Sequence, residues 1–161
     1  MRFSVSATTR APRPGEKDGF HYHFLTGSEF QAARQDGRLI ESEEVYPGCW
    51  YGTLRSEVET SSSDRPVLLD IDVIGASNVK RIFGAHALVI FISPPSLDVL
   101  AERLRARRTE TGDAFRIRVE RTKLELTYED RFDVKIINDV LEDAVSQAAA
   151  AVSGFLNRQG G

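Results

Sequence analysis

Arg10 and Arg13 stand three residues apart at the end of S-V-S-A-T-T-R-A-P-R, residues 4–13, behind the hydroxyls of Ser4, Ser6, Thr8 and Thr9. Pro12 fixes its own φ and steers Ala11 away from helix, so the two arginines sit on a stiffened turn. A guanidinium fork grips a phosphate bidentately and hydroxyls add donors, so the pattern suits a small dianion such as a monophosphate. A solvated, arginine-rich loop fits these residues equally well.

Other residues with chemical reach follow along the chain. His21 and His23 have a spacing that could hold a metal, but no third ligand cluster is visible, and two solvent-side histidines are the simpler reading. Glu41, Glu43 and Glu44 share one predicted strand, on which period two places Glu41 and Glu43 on one face and Glu44 on the other. Asp70 and Asp72 close an apolar run, V-L-L-D-I-D, two residues apart and so on one face. A basic segment, R-L-R-A-R-R-T, occupies residues 103–109.

The whole chain limits what these groups can serve. Net charge is −3, which gives no general case for nucleic acid or a membrane surface, so an anion site must be local. Hydrophobic residues make up 41% and charged residues 28%, ordinary for a soluble globular protein. The single cysteine, Cys49, excludes an internal disulfide and suits a reducing cytoplasm. No run approaches the roughly 18 apolar residues of a membrane span, and no signal-peptide core stands at the N-terminus.

The elements that must position these side chains read as strands alternating with helices. A short strand lies around Phe3 and Val5. Residues 20–24 alternate, placing Phe20, Tyr22 and Phe24 on one face of a strand. Ser28 with Gln31 fits a capping box for a helix that Gly37 ends. Residues 39–45 form a strand, Pro47-Gly48 a turn, and Leu54 and Val58 open a short helix. Residues 67–72 and 87–92 read as buried parallel strands. Helices are predicted over 76–83, from 94 through 107, and from about 113 to 129. A strand at 134–137 precedes a C-terminal helix marked by Leu141, Ala144, Val145, Ala148 and Val152. The alternation predicts an α/β fold with a parallel sheet, interrupted at 15–53 by a small mixed insertion.

S-V-S-A-T-T-R-A-P-R, then D-G-x-x-Y-x-F, I-E, Y-G-T, L-x-D-I-D-x-x-G, P-P-S and I-N-D occur in order, and together they resemble the guanylate kinase family from about Phe3 to the C-terminal helix. The resemblance implies one domain over 1–161 with a P-loop kinase core, a GMP-binding region at 6–61 and a helical lid at 103–121. It implies phosphoryl transfer from MgATP to GMP in the cytoplasm, with GMP and ATP as partners. Arg10, Arg13, Tyr22 and Tyr51 match the positions that hold the GMP phosphate. Ser6, Glu41 and Thr53 match the guanine readers. Asp72 matches a position near GMP and the magnesium shell, and with Asp70 it is an outer-shell candidate rather than a direct Mg²⁺ ligand. Arg103, Arg107 and Arg118 match the arginines that approach the ATP phosphates, where charge on the transferred group is stabilised. Asn138 and Asp139 match the loop that abuts adenine.

Three departures from the family pattern stand out. The turn Tyr46-Pro47-Gly48-Cys49 is one residue longer than the commonest form, with Trp50 where a second Tyr is frequent. The lid's usual G-R-G-T reads Ala106-Arg107-Arg108-Thr109. No G-x-x-x-x-G-K-[ST] occurs, although that loop would hold the ATP β- and γ-phosphates in this family. The first strand, P-loop and first helix are therefore expected to be absent, and the recorded start to lie late in a longer enzyme. A GMP-binding protein without transfer activity, or an interaction module that reuses the pocket for phosphorylated partners, are the alternatives.

Overall fold

The computed structural model describes residues 1–62, 64–106 and 112–159, and for 112–116 the backbone alone. The chain divides into two compact units, Met1–Gly84 and Ala85–Gly161.

The first unit runs β1 (Arg2–Phe3), β2 (Ala7–Thr8), β3 (His23–Phe24), α1 (Gly27–Gln35), β4 (Leu39–Tyr46), β5 (Cys49–Leu54), α2 (Arg55–Val58), β6 (Val67–Leu68) and α3 (Val73–Phe83). Four strands form a mixed sheet in the order β3-β2-β5-β4, while β1 and β6 make a separate parallel pair. The β4–β5 hairpin turns at Gly48, whose φ of 74° lies in the left-handed region that glycine tolerates. The carboxylate of Glu44 accepts from the Gly48 N–H at 2.6 Å and steadies that turn. One extra residue on β4 lies between the Leu39–Leu54 and Glu41–Thr53 pairs, a bulge after which Glu41 stands opposite Thr53 and Glu43 opposite Tyr51.

Behind this sheet Ala7, Phe30 and Ala33 are fully buried with Leu39, and Leu25, Trp50 and Leu54 pack around them. The apolar face expected of α1 is thus Phe30 and Ala33. Its cap is a correction. Thr26, not Ser28, is the N-cap, and Glu29, not Gln31, closes the box. An anionic N3 side chain complements the helix dipole as well as the free N–H, which favours Glu29 over a neutral Gln. Helix α3 starts three residues earlier than the predicted 76, because Asp72 caps it by accepting from the Gly75 N–H at 2.8 Å.

The second unit runs β7 (Ile90–Ser93), α4 (Leu97–Ala106), α5 (Gly112–Leu126), β8 (Val134–Ile137) and α6 (Leu141–Gln159). Strands β7 and β8 pair in parallel from Ile90–Val134 to Ser93–Ile137. Asp133 extends the join by accepting from the Val89 N–H at 2.8 Å. Ile136, Leu104, Val89 and Ala144 are buried here.

The mixed α/β class agrees with the sequence reading, but the parallel strands are shorter and less buried than predicted. Of residues 67–72 only Val67–Leu68 pair, and Leu68, Ile92 and Ile137 are exposed. Each strand of the β1–β6 and β7–β8 pairs has one strand partner among the described residues, so only one edge of each of these strands is covered. Phe20 and His21 form a turn and Tyr22 only an isolated bridge to Asp18, rather than a continuous strand, and Phe20 is exposed. In α6 the apolar stripe is also partly open, with Leu141 62% exposed. No described helix is long and apolar enough to cross a membrane.

Candidate functional site

The stiff turn after β2 brings Arg10 against two phenols. Its guanidinium lies 5.3 Å from the Tyr22 ring centroid, and Nε donates to the Tyr51 hydroxyl at 3.3 Å. The two tyrosine rings meet edge-on at 5.9 Å. Tyr51 comes from β5, opposite Thr8 on β2, so sheet register sets this cluster. Burial raises the Tyr51 pKa, against the pull of the neighbouring guanidinium. The Tyr51 phenol therefore stays a protonated donor at neutral pH.

Glu16, a residue the sequence reading passed over, completes this end. Its carboxylate takes Arg10 Nη2 at 2.8 Å and Nη1 at 3.0 Å, and accepts from the Arg13 backbone N–H at 2.6 Å. Arg10 Nη1 also donates to the Ala11 carbonyl. A carboxylate thus already sits on the arginine fork in the bidentate geometry that guanidinium groups offer to anions. Arg10 holds the Glu16 carboxyl down at about 2, and Glu16 raises the Arg10 pKa in return. The Arg13 side chain is exposed.

The hydroxyls before Arg10 serve differently from the anion grip first suggested. Thr8 donates to the Trp50 carbonyl at 2.9 Å and accepts from the Arg10 N–H at 3.1 Å. Thr9 donates to the Gly48 carbonyl and accepts from the Trp50 N–H. They tie the arginine turn to the hairpin. Ser4 is buried, with no partner for its hydroxyl among the described residues, and Ser6 is partly buried at the end of the loop leading to β2.

Two residues along β5 from Tyr51, and so on the same face about 7 Å away, Thr53 donates to Glu41 Oε1 at 2.6 Å. Glu41 is 8% exposed and Thr53 fully buried. Burial pushes the Glu41 carboxyl up, Thr53 opposes this, and the charge of Asp72 raises it further. The first turn of α3 closes over the carboxylate at Gly75, where an added Cβ would fall 2.7 Å from Glu41 Oε2. Unit one therefore holds a cationic, phenol-lined end and a buried carboxylate end on one sheet face. Such a pair can hold a small molecule with an anion at one end and paired N–H donors at the other.

Asp70 is exposed and Asp72 partly buried as the α3 cap. Among the described residues no three His, Cys, Asp or Glu side chains gather to hold a metal. His21 accepts from the Lys17 N–H at 2.9 Å. In the second unit, Arg103 donates to the carbonyls of Asn138 at 2.7 Å and Asp139 at 3.2 Å, so α4 grips the loop after β8. Arg118 lies partly buried on α5. Arg107 falls outside the described residues.

Glu16 escaped notice because a carboxylate in a charged turn, six residues from its partner, reads as solvated. Gly75 is the last residue of L-x-D-I-D-x-x-G, and a glycine in the first turn of a helix has no propensity reason to be there, but neither fact names its neighbour.

Known proteins resemble this chain over most of its length. A family profile described as guanylate kinase matches residues 1–154. The guanylate kinase of Salinibacter ruber is 53% identical over 157 residues, covering 98% of this chain and 84% of that protein. The guanylate kinase of Chlorobium luteolum is 48% identical, covering 98% of this chain and 80% of its own length. The crystal structure of guanylate kinase from Anaplasma phagocytophilum superposes with a TM-score of 0.80 at 31% identity, over 94% of this chain and 74% of that one.

Proposed function

The chain belongs to the guanylate kinase family of nucleotide-binding transferases, and from that premise we propose that its first unit binds GMP with the phosphate at Arg10 and the guanine at Glu41. The observation that carries this reading is the Glu41–Thr53 pair, a buried carboxylate fixed by a hydroxyl on the strand face that also presents Tyr51.

Guanine offers N1–H and an exocyclic amine side by side, and a carboxylate accepts from both; adenine has no such pair on that edge. A buried carboxylate facing adenine would stay unpaired, and that cost is what makes the site selective. Ser6 stands as a further reader, and Asp72 as a neighbour of the base. Arg10, Arg13, Tyr22 and Tyr51 receive the phosphate, which carries about −1.5 to −2 charge at neutral pH.

The reaction is transfer of the ATP γ-phosphoryl to a GMP phosphate oxygen: that oxygen bonds to phosphorus as the bond to ADP breaks, giving GDP. Charge spreads over the equatorial oxygens of the moving group, and Arg103, Arg107 and Arg118 are the groups that would stabilise it. Asn138 and Asp139 would meet adenine through their backbone. Asp70 and Asp72 offer hard carboxylate oxygens of the kind that suit the outer shell of Mg²⁺, an ion that keeps several waters. When bound with ATP, that ion supplies charge neutralisation on the phosphates. With one cysteine and no membrane-length helix among the described residues, the cytoplasm is the proposed setting.

The test is nucleotide binding by titration calorimetry. Glu41→Gln is expected to reduce the preference for GMP over AMP by about tenfold or more, the worth of a hydrogen bond to a charged group. Arg10→Ala is expected to weaken both nucleotides alike. An unchanged preference in the first variant, or unchanged affinity in the second, overturns the assignment concerned.

A further inference from the structure

Gly75 is the third residue of α3, with Asp72 as the N-cap. Its backbone is helical, so no left-handed conformation demands glycine there, and alanine would favour the helix. What the position lacks is room. A Cβ would stand 2.7 Å from Glu41 Oε2, 3.0 Å from Glu41 Cδ and 3.4 Å from Asp72 Oδ1. Gly154 in α6 is the contrast: its added Cβ would meet nothing closer than 3.5 Å. Gly52 differs in another way, since its Cβ would strike the Glu41 backbone carbonyl at 2.8 Å and so disturb the sheet itself.

At Gly75 the obstacle is the end of a side chain. The helix cannot easily yield, because Val73, Ala76 and Val79 bury its inner face and Asp72 caps it. The carboxylate of Glu41 has Thr53 as its hydrogen-bonding hydroxyl and is the part that can swing. An alanine methyl would therefore displace the carboxylate and leave the fold in place.

We propose that Gly75 is a specificity-determining positioning residue: the space its missing side chain leaves against α3 is the seat of the Glu41 carboxylate, and that seat sets the choice of guanine over adenine. The inference rests on Glu41 reading the base. Gly75 touches no reacting atom and acts only through Glu41.

The experiment measures GMP and AMP binding by calorimetry on the 161-residue chain and four variants, Gly75→Ala, Glu41→Asp, their combination, and Gly154→Ala as a helix control, with melting curves for each. Gly75→Ala is expected to weaken GMP by about tenfold or more while AMP stays within about twofold, since only the hydrogen bonds to the base are misplaced. Gly154→Ala is expected to change neither. In the Glu41→Asp background the carboxylate stands one methylene back from α3, so adding Gly75→Ala is expected to cost less than about threefold, a departure from additivity that marks contact. Equal loss of GMP and AMP in Gly75→Ala, no loss, or additive losses in the combined variant overturn the proposal. Glu41→Asp leaving the GMP preference intact would overturn the base reading and this proposal together; a lost preference there with Gly75→Ala unaffected overturns this proposal alone. Should Gly75→Ala fail to fold, folding of the combined variant supports the contact, and failure of both overturns it.

Discussion

Glu16 and Glu41 are carboxylates of one unit whose surroundings push their pKa values in opposite directions, so they act oppositely on stability as pH changes. Glu16 lies on the Arg10 fork, which lowers its carboxyl from 4.5 to about 2. Its ionised form is favoured by folding, so the stability it contributes is present above pH 4.5 and is lost as pH falls from 4.5 towards 2. Glu41 is raised from 4.5, by burial first and then by Asp72 and Glu43, against the Thr53 hydrogen bond. Its protonated form is favoured by folding, so its contribution is present below pH 4.5 and is lost as pH rises through its folded value. Without nucleotide, Glu16→Gln is expected to melt below the parent chain at pH 7, with the gap closing between pH 4.5 and 2. Glu41→Gln is expected to gain on the parent as pH rises above 4.5. Melting curves across that range check both signs, and parallel curves would remove the corresponding environment. The opposite shifts also fit the proposed division of labour, a charged pair at the end proposed for the phosphate and a buried carboxylate at the end proposed for the base.

At the scale of elements, local chemistry sets boundaries more finely than periodicity can. The existence of α1 follows from Phe30 and Ala33 at helical spacing, but its start depends on which hydroxyl finds an anionic partner. Thr26 wins because Glu29 returns to its N–H at 2.7 Å while Thr26 Oγ1 accepts from the Glu29 N–H at 3.2 Å. Thr26→Ala is expected to destabilise the chain by about 1 kcal/mol, the usual worth of such a cap, and Ser28→Ala by much less, measured by denaturant midpoints. Equal effects would restore Ser28 as the cap. The residues that face the proposed ligand were legible for a related reason. Arg10, Tyr22, Glu41, Tyr51 and Thr53 are polar or aromatic groups at fixed spacing in a family pattern. Glu16 stands outside that pattern and acts through a partner reached only when the turn closes, while Gly75 closes L-x-D-I-D-x-x-G but acts through space it does not fill. Strand burial was overread at 67–72 and 87–92, since an apolar run records what a strand prefers and not how many of its edges are covered.

For the molecule as a whole, net charge of −3 means that a nucleotide is held by local geometry rather than by a general field. The two kinds of site residue divide between the two compact units. The residues proposed to face GMP lie within Met1–Gly84, and the arginines proposed for the ATP phosphates lie within Ala85–Gly161. The first set has its cation, phenols and buried carboxylate in contact with defined partners. For the second, the 161 residues contain no G-x-x-x-x-G-K-[ST], the sequence whose backbone N–H groups and lysine cradle the β- and γ-phosphates in nucleotide kinases. Phosphoryl transfer depends almost wholly on positioning and charge stabilisation, so binding of the acceptor and turnover are separable. The polypeptide 1–161 is expected to bind GMP in preference to AMP yet to convert GMP to GDP far below the ordinary kinase range of about 1–100 s⁻¹. A coupled assay of ADP release with MgATP and GMP measures this directly. Turnover within that range would mean that Arg103, Arg118 and their neighbours hold the ATP phosphates without such a loop. GMP binding with negligible turnover would show that selection of the acceptor, proposed for Arg10 and Glu41, does not require transfer of the phosphoryl group.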